Sequence, residues 1–255
     1  MGLDLNYVRL VAFLLVVVRA IAWLMVVPPF SDRKVIPTTV TMAIGAGLGI
    51  LIGPTLPTSA IPTDTAGLLG AIVVQVLTGV AMGFVINLLL STITGAGSLI
   101  DVSGGLNLPP SVDPLGLDQT PMIGQFYQQV ALLLLFVSGS YLIVIEGFAR
   151  SFTAPGFTLA NSNRVAYVLM SDLVTYFTSA VEIAAPILIV LFATQVILAL
   201  LSKAAPQMNV WVLGMPIQIF LALTLVAVGI TVLPNDLGNI VGRIASDTSS
   251  MFGGR

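Results

Sequence analysis

The 255-residue sequence has no cysteine, no histidine and little charge: nine basic and eleven acidic side chains, 8% of the chain. The missing cysteines exclude disulfides, thiolate metal sites and cysteine nucleophiles. The missing histidines exclude Ser-His hydrolase chemistry, His-ligated haem and the common zinc sites. An average soluble domain is about a quarter charged, and twenty charged side chains cannot cover the surface of one this size. An ordinary soluble globular enzyme is therefore excluded. So is low-complexity disorder, which combines few apolar residues with many charges. Net charge is −2 and no basic run occurs, so nucleic-acid binding lacks its clustered Lys and Arg. There is no G-x-x-x-x-G-K-[ST] loop, and hence no ATP hydrolysis by a P-loop.

What the chain has is apolar length. Hydrophobic residues make up 57% of it, and the mean hydropathy is +1.06. A bilayer core takes about 20 apolar helical residues. Six segments qualify: 10–30, interrupted by Arg19, then 35–56, 66–93, 130–149, 165–201 and 208–233. They predict an all-α, polytopic membrane-type protein of helical hairpins, a single domain over 1–255 with a short C-terminal tail, 234–255. Ala20-Ile21-Ala22 resembles a signal cleavage site, but Arg19 interrupts the apolar run and the run continues to Phe30, so a retained span is expected.

The 165–201 segment would be about 55 Å long as one helix, too long for a simple span. Its first half carries Ser171, Asp172, Thr175, Tyr176, Thr178, Ser179 and Glu182 on one arc, and Pro186 follows. An amphipathic helix with a break near Pro186 is expected. Its polar stripe suits either a water-filled passage or partner groove, or the membrane surface. Loop charges give no consistent orientation, because Arg33 and Lys34, Arg150 and Arg164, and Lys203 do not all fall on one side of six simple spans.

Small residues recur every four positions. Gly45, Gly49 and Gly53 form one series and Gly79 and Gly83 another, a pattern that lets helix backbones approach closely. Between the third and fourth segments, residues 95–125 contain ten Gly or Pro among 31 residues, and three acids: Asp101, Asp113 and Asp118. That density opposes a regular helix. The interleaved Leu106, Leu108, Met122 and Ile123 suit packing against protein better than solvation. Irregular backbone at membrane depth is tolerated only inside protein or along a cavity. The stretch reads as a re-entrant or plugging loop, or as an extramembrane loop capping the bundle.

Charges near apolar segments default to functional roles. Arg19, Asp101, Glu146, Arg150, Asp172, Glu182 and Lys203 are the candidates. Glu182 could pair with Arg19. No Tyr-Asp or Gly-x-Gly-Asp arrangement of an intramembrane aspartyl protease occurs, so no catalytic, metal or cofactor site is expected.

Several stretches together resemble the FliR-type export-gate family of flagellar type III secretion, with its injectisome counterparts. The first is Arg19 with Pro28-Pro29-Phe30-Ser31, Ile36-Pro37 and Pro54. The second is Gly97-Ser98-Leu99-Ile100-Asp101, Gly105-Leu106, Asp113-Pro114 and Pro121, then the Leu132–Phe136 run with Gly139. The most specific is Leu200-Leu201-Ser202-Lys203-Ala204-Ala205-Pro206-Gln207-Met208-Asn209-Val210, followed by Gly214-x-Pro216. The sequence departs from the family at Ser140, where relatives often carry His, and at Ser103, where Gln is common.

The resemblance implies a multi-pass subunit of the inner membrane at the flagellar basal body. It would join FliP-like and FliQ-like subunits in a hetero-oligomeric gate, with FlhB-like and FlhA-like export proteins as further partners. Unfolded flagellar subunits would pass through, membrane lipid would surround part of the assembly, and much of it would sit above the membrane plane. The central loop would be a plug, with Asp101, Gly104, Gly105, Leu106, Leu108, Asp113, Pro114, Pro121 and Met122 as its gate residues. Arg19, Asp172, Glu182, Lys203, Pro206 and Gln207 would meet partners or the lumen. The rival reading is a small-molecule or ion transporter with a re-entrant loop, which should show internal repeats; none is evident between the halves.

Overall fold

The computed structural model describes residues 2–32, 36–53, 64–106, 121–152, 162–207 and 209–251. They form eight helices: α1 (Gly2–Leu24), α2 (Thr38–Ile52), α3 (Thr65–Ser103), α4 (Met122–Val137), α5 (Tyr141–Arg150), α6 (Ser162–Ala204), α7 (Val210–Gly229) and α8 (Leu233–Met251). No strand occurs among the described residues, as the all-α reading expects. Three of these helices are long and apolar enough to cross a membrane: 65–103, 165–204 and 212–229. The protein is a membrane protein.

The elements depart from the sequence expectation at five places. Helix α1 ends at Leu24 rather than running to Phe30, because Pro28 and Pro29 disfavour helical backbone just before them. Helix α2 has 15 residues, short of a span. The 130–149 segment is two helices, α4 and α5, separated at Gly139, whose φ of 72° is left-handed and ends the helix. Helix α6 runs unbroken through Pro186. Ala184 and Ile187, beside the proline, are buried, so packing holds the helix where the missing N–H alone would open it. The stretch 234–255 contains helix α8, where Leu233, Leu237, Ile240, Val241, Ile244 and Met251 recur at helical spacing and are buried.

The chain divides into two compact units, 1–89 with 138–173 and 241–255, and 90–137 with 174–240. In the first, α1 is gripped by glycine faces. The Gly45 and Gly49 positions of α2 press on Ile21 and Val17, and those of Gly79 and Gly83 in α3 press on the backbone oxygens of Arg19 and Trp23. Gly53 makes only ordinary contacts with Phe13. Trp23 stacks on Phe148 with centroids 4.4 Å apart, and Phe148 meets Phe152 edge-on at 5.2 Å.

In the second unit the C-terminal part of α3 is central. Ile93, Ala96 and Ile100 of α3, Tyr127, Ala131 and Leu135 of α4, Ala184 and Leu191 of α6, and Ala222 and Val226 of α7 are all buried. By contrast, only 17% of the most apolar stretch of α6, and the same share of α7, is buried.

Candidate functional site

Helices reach further into 95–125 than the Gly/Pro density leads one to expect. Residues 95–103 continue α3, and Met122 opens α4. Gly95 and Gly97 sit in the helix because close neighbours need them there. A Cβ at Gly95 would lie 3.0 Å from the Tyr176 hydroxyl, and one at Gly97 would lie 2.8 Å from the Gly124 Cα. Helix α3 gives way to a turn at Gly104 and Gly105; of the sequence-assigned plug residues, Leu108, Asp113 and Pro114 lie outside the described residues.

Both ends of this loop are tied together. Asp101 is fully buried in the last turn of α3. Its Oδ1 accepts the N–H of Ile123 at 3.1 Å and its Oδ2 that of Gly124 at 3.0 Å. The first amides of α4 have no partner inside their own helix. A carboxylate at a helix N-terminus satisfies them and complements the helix dipole. Here the capping carboxylate comes from another helix, some twenty residues upstream, so it also fixes α3 to α4.

The C-terminal end of α3 is satisfied in turn. Gly105 adopts φ 71°, and the Leu106 N–H returns to the Asp101 carbonyl at 3.1 Å, a wrap that needs a left-handed residue. The Gln195 side chain of α6 donates to the Ser103 carbonyl at 3.1 Å. A Cβ at Gly104 would press on Ala222 of α7 at 3.0 Å. Asp101, Gly104, Gly105, Leu106, Pro121 and Met122 thus lie at the two joined ends that flank residues 107–120. Met122 itself is 70% exposed.

The remaining charges fall into separate places. Arg19 is 3% exposed and has only neutral partners among the described residues. It donates to Gln75 Oε1 at 2.6 Å and to the Ser151 carbonyl and hydroxyl at 3.0 and 3.1 Å. It also lies 4.3 Å over the Phe152 ring. The expected carboxylate, Glu182, is not among them. Gln75 and Ser151 carry no sequence signal as partners, because only the tertiary approach of α3 and of the turn after α5 creates the site.

Asp172 turns inward rather than toward a lumen or an outside partner. Its carboxylate is fully buried, 3.7 Å from Arg243 Nε of α8, which also lies 3.6 Å from Asp247. Two acids thus share one base. The sequence reading missed this group because it left α8 as a tail, although the periodic apolar residues of 233–251 could have found it. Glu182 is exposed beside a cavity; Lys203 is exposed in the last turn of α6, and Pro206 and Gln207 in the turn after it. No group of acids that could hold a metal ion occurs among the described residues.

The family model for bacterial export proteins, family 1, matches residues 10–244. The chain belongs to this family. It is 26% identical over 227 residues to the flagellar biosynthetic protein FliR of Bacillus subtilis, covering 87% of each chain. It is 28% identical over 212 residues to FliR of Escherichia coli, covering 82% of this chain and 80% of that one. Against the Yop proteins translocation protein T of Yersinia pestis it is 26% identical over 230 residues, 88% of each. The match takes in the Asp101 anchor, the Arg19 node and the turn at 203–207. A member of this family serves bacterial protein export together with other export components.

Proposed function

We propose that the protein is a non-catalytic subunit of a flagellar type III export gate in the bacterial inner membrane at the basal body. It lines part of the channel through which unfolded flagellar subunits leave, and assembles with FliP-like and FliQ-like subunits and with FlhB-like and FlhA-like export proteins. Residues 106–121 act as its plug. The observation that carries this reading is the Asp101 anchor. A buried carboxylate spends both oxygens on holding the two ends of one loop together, which suits a segment that must return to a closed position after displacement. Gly104 and Gly105 supply backbone freedom at the base. The relatives named for flagellar biosynthesis favour the flagellar over the injectisome use.

Deletion of residues 107–120 tests the plug. In cells with an assembled gate, the deletion should raise leakage of small ions or molecules across the inner membrane. Unchanged leakage together with unchanged export would sink the plug role.

A further inference from the structure

A cavity of about 330 Å³ lies within the second unit, walled by α4, α6 and the junction of α7 and α8. Two carboxylates line it, Glu182 and Asp236, with Ser179 and Asn239 nearby and Ile183 and Ile187 as apolar wall. Among the described residues, no Lys or Arg is ion-paired with either carboxylate. Tyr127 also lines the cavity and is 1% exposed. Its hydroxyl lies 3.4 Å from where a Gly229 Cβ would stand on the same wall, and it meets no hydrogen-bond partner among the described residues. The cavity therefore presents two carboxylates without a cationic partner among the described residues, a tyrosine hydroxyl on its wall and an apolar lining.

Those features fit one chemistry: a cationic head on an apolar stem. Long basic side chains lay their methylenes along apolar surface and present the charge at the end. The charged head would meet Glu182 and Asp236, and either a guanidinium or an ammonium donates to several acceptors at once. Burial pushes the Asp236 carboxyl above its ordinary range, a cost that an arriving cation offsets. A protein segment that carries the cation would also cover apolar surface around the cavity. Phe177, Val181 and Ile189 of α6 and Val232 beside the cavity are exposed apolar side chains, which a free amine would leave uncovered.

We infer that this cavity receives a Lys or Arg side chain from another subunit of the export assembly. The inference rests on the gate reading above. The full assembly, carrying a photo-crosslinking phenylalanine analogue at Asn239, is irradiated in membranes and the adduct is sequenced. The expected adduct is a peptide of another subunit that contains a basic residue. Glu182→Gln with Asp236→Asn, which turns both charged acceptors into neutral ones, should cut its yield at least about tenfold. Tyr127→Phe, which keeps the packing, should lower it by a smaller factor. Adducts with lipid alone, with a peptide lacking a basic residue, or with a yield indifferent to both charge changes, would each overturn the inference while leaving the gate reading intact. A tagged chain that recovers no other subunit before irradiation overturns both.

Discussion

Asp101 concentrates more structure than any other polar side chain in the second unit. Both of its oxygens accept amides of α4, and each buried amide left without an acceptor costs about 1–3 kcal/mol. Asp101→Ala removes both acceptors, while Asp101→Asn keeps one. Amide exchange at Ile123 and Gly124 should accelerate at least about tenfold in the alanine variant, since each 1.4 kcal/mol is a factor of ten, with asparagine intermediate. Native-like exchange in the alanine variant would show that the cap holds nothing. The charge of Asp101 was plain in the sequence, as was its place before a Gly-Gly pair. Its acceptors were not, because Ile123 and Gly124 offer backbone groups, which no residue type announces.

Glycine acts in two ways along these helices, and only the surroundings separate them. A Cβ at Gly79 would sit 2.6 Å from the Arg19 carbonyl, and one at Gly97 would sit 2.8 Å from the Gly124 Cα, both against backbone that cannot step aside. At Gly47 nothing lies within 4 Å. Gly79→Ala and Gly97→Ala should each destabilise by about 1–3 kcal/mol through overpacking. Gly47→Ala should be neutral or stabilising by up to about 1 kcal/mol, since alanine favours the helix. Thermal melts in detergent read the difference, and a Gly97→Ala protein that melts like the parent contradicts the close approach. The four-residue spacing made Gly45, Gly49, Gly79 and Gly83 legible as a packing face. Gly97 was read as a helix breaker, because breaking and close packing leave the same letter in the sequence. Pro186 misled in the same direction, since buried neighbours keep α6 helical across it.

The molecule as a whole exposes more apolar surface than it buries along α6 and α7. Ile189, Phe192 and Ile197 of α6 and Phe220 of α7 are each more than 60% exposed. Exposed apolar patches of this extent mark lipid or partner contact. A tagged chain extracted gently from membranes should bring with it other small hydrophobic subunits, identified by mass spectrometry. A stable solitary protein that moves a solute when reconstituted would favour the transporter reading instead.

The sequence by itself determined the class of this protein: an all-helical membrane chain without cysteine or histidine, and so without disulfide, thiolate or Ser-His chemistry, in a family recognisable from Arg19, the Asp101 region and the Ala205-Pro206-Gln207 turn. Those conclusions follow from composition and short-range order, which are properties of the chain. The tertiary structure alone decided which polar groups meet. Arg19 finds neutral acceptors, Asp172 finds Arg243, and Asp101 caps a helix far along the chain. Each pairing joins residues from elements distant in sequence, and burial selects it, because a polar group removed from water must take whatever complementary group the packing brings within reach.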